Sequence, residues 1–397
     1  MKLGTYFSGG GVADIGYKAA GFEPTFAVEF DPANEAQSMR IADCYERNLG
    51  AHVIRQPVQN VAPADLPYVD LFHASPVCKN ASRAKAGGEE NDVDMVTAQA
   101  TCDYIAHHRP LFVVIENVYG YRNFDAYKLI LATLRANGYE YRAEKMNAAD
   151  YGVPQTRERL IVTASRVGRP PSVPKTHMKE PPTMPSLFDV ALPRWVGWYE
   201  SIEDLIDTLP DDKFADWQLE RLPDEMKTFL IGQGQWSLPK NKKEPSDTVT
   251  SNKNQNGIRA FIMNPANPNG NEKRKYRWGD EPTKTVTAGD SQSTKAFVVN
   301  GTPNSNGATI TVCQREQPIF TLTATNFKRP TRASVPGRVV RMTPRALARF
   351  QSIPDSYVLP TRITDACCLI GNGVPSLMTQ RIGETLKRMK QKRPRIK

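Results

Sequence analysis

The first third of the chain alternates short apolar runs with amphipathic segments. Apolar runs that end at glycine or polar residues predict strands at residues 2–7, 25–29, 70–74, 111–115 and 160–163. Apolar positions three or four residues apart predict helices at 12–20, 34–48 and 93–108, the last from Val93, Val96, Ala100 and Tyr104. Because the run at 111–115 is apolar throughout, we expect a strand buried on both faces. This alternation is typical of a parallel α/β sheet.

The pattern changes after about residue 167. Proline, lysine, asparagine and threonine become more frequent, and helical periodicity fades beyond about residue 229. A short motif then repeats, in which Pro245, Pro282 and Pro318 each precede a Thr-x-Thr run by three residues. The first two copies lead into similar apolar runs at 260–264 and 296–300, so we predict a β-rich region with long polar loops. Helical patterns return at 344–351 and 376–390.

These patterns predict an α/β domain that is interrupted by a second domain. Residues 1–168 and 338–386 form the two parts of the first domain, and residues 169–337 form a β-rich insert. Residues 387–397 carry seven basic residues and no acid, and we predict that this tail is disordered. The whole chain has 52 Lys and Arg against 42 Asp and Glu, so the tail accounts for most of the net charge of +10. That balance allows a polyanionic partner.

Composition excludes several classes of protein. No segment approaches the ~18 apolar residues of a membrane span, and the early glycines are unlike a signal peptide. The six cysteines contain no C-x-x-C pair, so we expect neither a metal site nor a disulfide scaffold. We therefore expect a cytoplasmic protein with reduced thiols. For Cys44, Cys102, Cys367 and Cys368, burial in the core is the expected role.

Candidate ligand-binding residues follow the first two predicted strands. The turn Phe7-Ser8-Gly9-Gly10-Gly11 leads into a helix, where glycine lets the backbone approach a ligand and the helix N-terminus favours negative charge. An ordinary tight turn is the alternative. Glu29 ends the second strand, the position from which an acid accepts hydrogen bonds from a ribose. Phe30 follows it and is placed to stack on an adenine ring.

A candidate nucleophile follows the strand at 70–74. At this position we expect Cys78 to lie in the crevice where α/β proteins bind ligands. The basic residues Lys79, Arg83 and Lys85 would lower its pKa and favour the reactive thiolate. A small buried thiol is the alternative.

Charged residues mark the ends of the two later strands. Glu116 follows the buried run, where a carboxylate is costly to bury, so we predict an acid with a raised pKa. Arg157 and Arg159 alternate onto one face, where guanidinium groups hold a thiolate, a phosphate or a pyrimidine carbonyl. A solvated strand end is the alternative for the two arginines.

In this order, the motifs resemble those of the DNA (cytosine-5)-methyltransferases. The turn at 7–11 resembles the first motif, and Glu29 the ribose-binding acid. The nucleophile loop and two central motifs correspond to Pro76-Val77-Cys78-Lys79, Glu116-Asn117-Val118 and Gln155-Thr156-Arg157-Glu158-Arg159. Residues 341–355 resemble the ninth motif and 371–375 the tenth, while residues 56–58 carry no acid at the third. The resemblance covers both parts of the α/β domain, and the insert lies where the family has its variable target-recognition domain.

The resemblance implies a Rossmann-like, S-adenosylmethionine-dependent methyltransferase that releases S-adenosylhomocysteine. Cys78 would add to carbon 6 of a cytosine flipped out of the duplex. Glu116 and Arg159 would stabilise the ring, and Arg157 would support the nucleophile loop. The implied cofactor contacts are Phe7, Ser8, Gly9, Gly11, Glu29, Phe30, Val58, Asn372 and Val374.

Double-stranded DNA is the implied partner, and basic residues near aromatic ones in the insert fit that role. The expected DNA contacts are Lys79, Ser82, Arg83, Lys85, Lys273, Arg274, Arg277, Lys328 and Arg329. Solvated loops are the alternative for the basic runs of the insert. We expect a monomer in a bacterial or phage-type, nucleoid-associated setting. The sequence leaves open whether a cognate restriction endonuclease accompanies it.

Three other functions stay open. A catalytically silent DNA-binding protein of the same fold would explain the missing acid at the third motif. An RNA cytosine-5 methyltransferase would share the motifs, although the large insert favours duplex DNA. A nucleotide-binding oxidoreductase would explain only the glycine turn and Glu29.

Overall fold

The computed structural model describes residues 1–77, 90–181, 192–212, 297–302, 309–314, 316–319, 332–335 and 338–391. The chain divides into two compact units. The first comprises Met1–Asp204, Glu316–Lys328 and Thr343–Lys397, and the second comprises Leu205–Arg315 and Arg329–Met342. None of the helices in the described ranges is long and apolar enough to cross a membrane.

Seven strands form one mixed sheet in the described part of the first unit. In chain order they are β1 (Lys2–Tyr6), β2 (Glu23–Val28), β3 (His52–Ile54), β4 (Leu71–Ala74), β5 (Phe112–Asn117), β6 (Glu140–Asn147) and β7 (Glu158–Ser165). They lie across the sheet in the order β3-β2-β1-β4-β5-β7-β6. The strands from β3 to β5 pair in parallel, whereas β7 is antiparallel to both of its neighbours. The predicted α/β fold is confirmed, but β3 and β6 were missed because neither contains a long apolar run.

Helices cover both faces of this sheet. They are α1 (Val12–Ala19), α2 (Glu35–Leu49), α3 (Asp92–His108), α4 (Asp125–Ala136), α5 (Pro344–Phe350), α6 (Ile363–Asn372) and α7 (Ser376–Gln391). β5 is buried on both faces, as its apolar run predicts. Val113 and Ile115 pack in one core with residues of α3 and α4, while Phe112 and Val114 pack in another with residues of α1 and α7.

Helix α3 confirms the predicted helix, but two of the residues that predicted it are not buried. Val93 and Val96 are 52% and 41% exposed. The face that packs on the sheet instead carries small and polar residues, among them Thr97 and Thr101, whose hydroxyls bond to carbonyls one turn earlier. Polar side chains whose hydrogen bonds are made within the helix can be buried at little cost. The spacing of hydrophobic residues in the sequence does not reveal such positions.

Helix α7 packs closely on α1. A Cβ added at Gly16 would lie 2.0 Å from the carbonyl oxygen of Ser376, so the two backbones approach each other there. The helix continues to Gln391, which includes the first five residues of the predicted disordered tail. Lys387 donates to the Ala20 carbonyl at 3.2 Å, which ties this end to α1. Residues 392–397 lie outside the described residues.

The second unit contains an antiparallel sheet. In its described residues the strands are β8 (Phe297–Thr302), β9 (Thr309–Gln314), β10 (Arg332–Val335) and β11 (Arg338–Arg341), in the order β11-β10-β8-β9. β8 confirms the strand predicted at 296–300. The copies of the repeat near 245 and 282, and the Thr-x-Thr run after Pro318, lie outside the described residues.

Candidate active site

The glycine turn after β1 combines strained backbone with one open side. Phe7 has a φ of 58°, a conformation that non-glycine residues adopt rarely and that marks functional sites. A Cβ at Gly10 would lie 2.2 Å from the Leu369 side chain, and one at Gly11 would collide with Tyr45. At Gly9 nothing lies within 4 Å of that position. The turn is therefore packed from behind at Gly10 and Gly11 and open at Gly9, where a ligand has room.

Glu29 and the glycine turn lie together, as the sequence predicts. The Gly9 amide donates to Glu29 Oε2 at 2.8 Å, and the Ser38 hydroxyl donates to Oε1 at 3.3 Å. Desolvation raises the pKa of Glu29, and these two hydrogen bonds oppose the rise. Phe30 is half-buried beside it. The carboxylate is thus held at the end of β2, next to the open side of Gly9.

The returning C-terminal segment closes this region. Tyr357 donates its hydroxyl to the Gly10 carbonyl at 2.5 Å, and Leu369 of α6 packs against the same glycine. Gly373 follows α6 in the chain and lies close to Val12. A Cβ added at Gly373 would lie 2.7 Å from the Val12 side chain. Neither Tyr357 nor α6 was predicted. Tyr357 follows the ninth-motif segment, and α6 runs into the tenth-motif segment with its last two residues. Their partners are more than 300 residues away in sequence, so no local pattern indicates these contacts.

Helix α6 is also fastened to α2. Buried Asp365 accepts from Arg40 Nε at 2.6 Å and from Gln37 Nε2 at 2.9 Å. The hydrogen bond from Arg40 lowers the pKa of Asp365. Cys368, predicted to lie in the core, is half-exposed on α6, whereas Cys367 is buried. Val374, a predicted cofactor contact, is buried just after this helix.

Asp14 is a buried acid that the sequence analysis missed. It accepts hydrogen bonds from Thr5 Oγ1 at 2.9 Å and from the Tyr45 hydroxyl at 2.5 Å. Burial raises the pKa of Asp14 to about 7, and the two hydroxyl donors oppose the rise. Its place in the first turn of α1, directly after three glycines, was the available signal. The network joins β1, α1 and α2 beneath the glycine turn.

Glu116 and Arg159 form a buried ion pair at the end of β5. Antiparallel pairing sets Glu116 opposite Ile161, and alternation brings Arg159, two residues away, onto the same face. Arg159 Nε lies 3.0 Å from Glu116 Oε1, with the two side chains 13% and 8% exposed. A buried carboxylate needs such a partner. The Glu-Asn-Val and Gln-x-Arg-x-Arg motifs therefore meet at this pair.

The neighbours of this pair connect it to other motifs. Asn117 Nδ2 donates to the Pro76 carbonyl at 3.1 Å, which fixes the chain two residues before Cys78. Arg157 is buried, and its Nη1 donates to the Gly371 carbonyl at 3.2 Å. Arg157 and Arg159 thus have different partners, one in the tenth-motif segment and the other at Glu116.

His73 on β4 was also missed, although it precedes the nucleophile loop. Its Nδ1 lies 3.2 Å from the Tyr17 hydroxyl, and its Nε2 lies 3.3 Å from the Ser75 hydroxyl. Burial lowers the pKa of His73 to about 3, so the ring is neutral. A neutral imidazole has one donor and one acceptor, and both are used here. The ring therefore anchors Ser75 at the start of the loop.

Several predicted site residues lie outside the described residues. These are Cys78, Lys79, Ser82, Arg83, Lys85, Lys273, Arg274, Arg277, Lys328 and Arg329. Val58, a predicted cofactor contact, is buried in the core that includes β2.

Comparison with known proteins identifies the family. The profile of the C-5 cytosine-specific DNA methylases matches residues 1–388. The chain belongs to the C-5 cytosine-specific DNA methylase family. Two solved structures resemble it over nearly its whole length.

The first is a protein described as a DNA modification methyltransferase encoded within an E. coli prophage, with a TM-score of 0.57 and 18% identity over 99% of this chain and 100% of that one. The second is Spodoptera frugiperda DNMT2, with a TM-score of 0.51 and 15% identity over 97% and 99%. At 18% and 15% identity, these two likenesses show only that this DNA methylase family member shares the fold.

Curated relatives are type II methyltransferases. M.FnuDI of Fusobacterium nucleatum is 32% identical over 169 residues, which cover 42% of this chain and 47% of that protein. M.NgoPII of Neisseria gonorrhoeae is 27% identical over 401 residues, which cover 98% and 96%. The chain of this DNA methylase family member therefore spans about half the length of the first relative and nearly all of the second.

Proposed function

We propose that this protein methylates carbon 5 of cytosine within a specific sequence of double-stranded DNA, using S-adenosylmethionine. The observation that carries the proposal is the buried Glu116–Arg159 pair, 3.0 Å apart at the end of β5. Asn117, the next residue, holds the Pro76 carbonyl two residues before the thiol of Cys78. A carboxyl and a guanidinium in this arrangement suit stabilisation of a pyrimidine ring to which a thiol adds.

The residues around the glycine turn fit the cofactor. Gly9 faces open space, and the half-buried carboxylate of Glu29 lies beside it. A carboxylate in this position can accept hydrogen bonds from ribose hydroxyls. We propose that Glu29 accepts hydrogen bonds from the ribose and that Phe30 stacks on the adenine. Phe7, Ser8, Gly9, Gly11, Val58, Asn372 and Val374 complete the proposed contacts. When bound, the cofactor supplies an electrophilic methyl group.

The thiolate of Cys78 performs covalent catalysis in this proposal. Its sulfur bonds to carbon 6 of cytosine, which makes carbon 5 nucleophilic enough to accept the methyl group. Glu116, when protonated, donates to ring nitrogen 3, and Arg159 stabilises the negative charge that develops on the carbonyl oxygen. Carbon 5 then loses its proton to water, the bond between carbon 6 and sulfur breaks, and the thiolate is regenerated.

The target base has to leave the duplex, because a stacked cytosine exposes neither carbon 6 nor its ring nitrogen to these groups. We propose that residues 169–337 form the target-recognition domain, with DNA contacts at Lys273, Arg274, Arg277, Lys328 and Arg329. Lys79, Ser82, Arg83 and Lys85 on the nucleophile loop would hold the target strand. The protein would act as a monomer, either with a cognate restriction endonuclease or alone.

A trapping experiment tests this function. Purified protein is incubated with tritiated S-adenosylmethionine and mixed-sequence duplex DNA that contains 5-fluorocytosine, which blocks loss of the group at carbon 5. We expect a covalent, cofactor-dependent adduct that maps to Cys78. Cys78→Ala should bind DNA without forming the adduct, while Cys102→Ala, at a buried thiol of α3, should retain it.

The other outcomes separate the alternatives. DNA binding without adduct or label transfer would identify a silent DNA-binding protein. Label transfer to RNA but not to duplex DNA would identify an RNA methyltransferase. An adduct that persists in Cys78→Ala would contradict the proposed nucleophile.

A further inference from the structure

Six side chains form a surface of alternating rings and cations along one edge of the first unit's sheet. They come from the edge strand β6, from α4 and from the short 3-10 helix Tyr119–Asn123 that follows β5. We call this surface the tyrosine–cation face, and its members are Tyr119, Tyr127, Tyr141, Arg122, Arg135 and Lys145. The mechanism above uses none of them.

One end of the tyrosine–cation face lies at the same end of the sheet as the Glu116–Arg159 pair, on the opposite face. The guanidinium carbon of Arg122 lies 4.2 Å from the centroid of the Tyr119 ring, and Lys145 Nζ lies 5.2 Å from the same centroid. Tyr119 follows Glu116 by three residues. Two cations therefore share one ring at the end of the sheet where the proposed chemistry takes place.

The other end lies further along β6. Arg135 lies 5.2 Å from the centroid of the Tyr141 ring and donates to its hydroxyl. Tyr141 and Lys145 are four residues apart on the same face of the strand, roughly 13 Å at about 3.3 Å per residue. Tyr127 of α4 interacts electrostatically with both tyrosines and with both arginines, so it connects the two ends.

The charges of this face are only partly compensated. Lys145 pairs with Glu158 at 2.8 Å. Among the described residues, no carboxylate forms an ion pair with Arg122 or Arg135, and both side chains are exposed. A ring beneath a guanidinium limits its motion. Arg122 and Arg135 each donate one N–H to a tyrosine hydroxyl, and their remaining N–H groups match a phosphate well. Arginine and tyrosine side chains are among the groups that contact the phosphates of duplex DNA.

We propose that the tyrosine–cation face binds the phosphate backbone of duplex DNA that flanks the target cytosine. The inference rests on the proposed function, because DNA is the substrate there, and it adds a contact outside the nucleophile loop and the insert. Charge complementarity and the position at the same end of the sheet as Glu116 select this partner. The face would hold the duplex while the base is flipped, without taking part in the chemistry.

Salt dependence of binding tests the proposal. We measure binding at several salt concentrations as the anisotropy of a fluorescent duplex of about 30 base pairs, with a rise of about 3.4 Å per base pair. The wild type is compared with the Arg122→Gln/Arg135→Gln double variant. The matched control is Arg47→Gln/Arg388→Gln, which removes the same charge from exposed positions on α2 and α7. For B-DNA each lost phosphate contact flattens the log–log salt slope by about 0.9.

We expect the double variant to have a slope smaller by about 1.8, so that its affinity falls about tenfold less than that of the wild type between 50 and 200 mM salt. The control variant should keep the wild-type slope, and kcat at saturating DNA should be unchanged in both. Equal slopes in the double variant and the control would overturn the inference.

The experiments can contradict the proposed function without contradicting the inference about the tyrosine–cation face. If the wild type binds duplex DNA but transfers no methyl group, the function is wrong, while the salt slopes still decide whether this face binds the backbone. A lower melting temperature in the double variant alone, with an unchanged slope, would assign the face a structural role and overturn the inference.

Discussion

The candidate site has two halves that are held together in different ways. We call the region around the glycine turn the cofactor half and the region around Glu116 the catalytic half, after their proposed roles. Around the glycine turn, the packing partners of Gly10 are Tyr357 and Leu369, from the far end of the chain. Around Glu116, the partner Arg159 comes from the adjacent strand, and β-sheet register alone brings it there. The cofactor half therefore depends on correct docking of the C-terminal segment. We expect changes there to lower stability and cofactor affinity together, and changes at Glu116 to lower the rate without lowering cofactor affinity.

The largest expected effect tests the catalytic half. Glu116→Gln keeps the shape of the side chain but removes the acid, so single-turnover methyl transfer should slow by about 10²–10⁴-fold. DNA affinity should change little, whereas the melting temperature should fall because Arg159 loses the charge of its buried partner. Glu140→Gln, at an exposed position at the start of β6, is the matched control and should keep the wild-type rate. An unchanged rate in Glu116→Gln would remove Glu116 from the mechanism.

The next effect tests the cofactor half. In Gly10→Ala the new methyl group would lie 2.2 Å from Leu369, so α6 has to move away from the turn. We expect a loss of about 1–3 kcal/mol of unfolding free energy, together with weaker binding of S-adenosylhomocysteine by calorimetry. Gly50→Ala meets no atom within 4 Å but has a φ of +78°, a conformation that Gly10 lacks. It is therefore a control that loses stability through backbone strain instead of steric overlap, and it should keep the wild-type cofactor affinity. Loss of stability with unchanged cofactor affinity would break the expected link.

Sequence reasoning selected the residues around Glu116 more completely than those around the glycine turn, and the roles proposed for both groups stay predictions. Glu116, Arg157 and Arg159 lie in short motifs next to apolar strands, so pattern and resemblance both located them. Tyr357 and α6 escaped because their contacts span most of the chain. Asp14 and His73 escaped for another reason. Each is a polar residue among apolar neighbours, and only the structure reveals the hydroxyl partners that make burial possible.

His73 lies on β4, between the two halves, and it predicts a pH dependence of the free energy of unfolding. Its pKa is about 3 in the folded protein and about 6.5 when unfolded, so the stability that it contributes is complete above pH 6.5 and is lost as the pH falls. Linkage gives about 1.4 kcal/mol per pH unit, or about 2 kcal/mol between pH 6.5 and 5. Urea unfolding of wild type and His73→Gln across this range measures the difference. If the two proteins lose stability in parallel, His73 is not the titrating group.

The smallest expected effect tests the Tyr357 hydroxyl of the C-terminal closure. Tyr357→Phe keeps the ring but removes the hydroxyl, which donates to the Gly10 carbonyl at 2.5 Å and lies 3.5 Å from Cys44 Sγ. Net loss of one such bond costs about 1 kcal/mol of folding free energy. To the extent that the closure shapes the cofactor site, S-adenosylhomocysteine should bind more weakly, by up to about fivefold. Tyr151→Phe is the matched control, since its hydroxyl donates to the Val173 carbonyl at 3.4 Å, away from the turn. Because Gly10 adjoins the open side of Gly9, an affinity loss confined to Tyr357→Phe, with kcat unchanged, would show that the closure acts on cofactor binding. Equal effects of the two variants would reduce it to ordinary packing and remove the distinction between the halves.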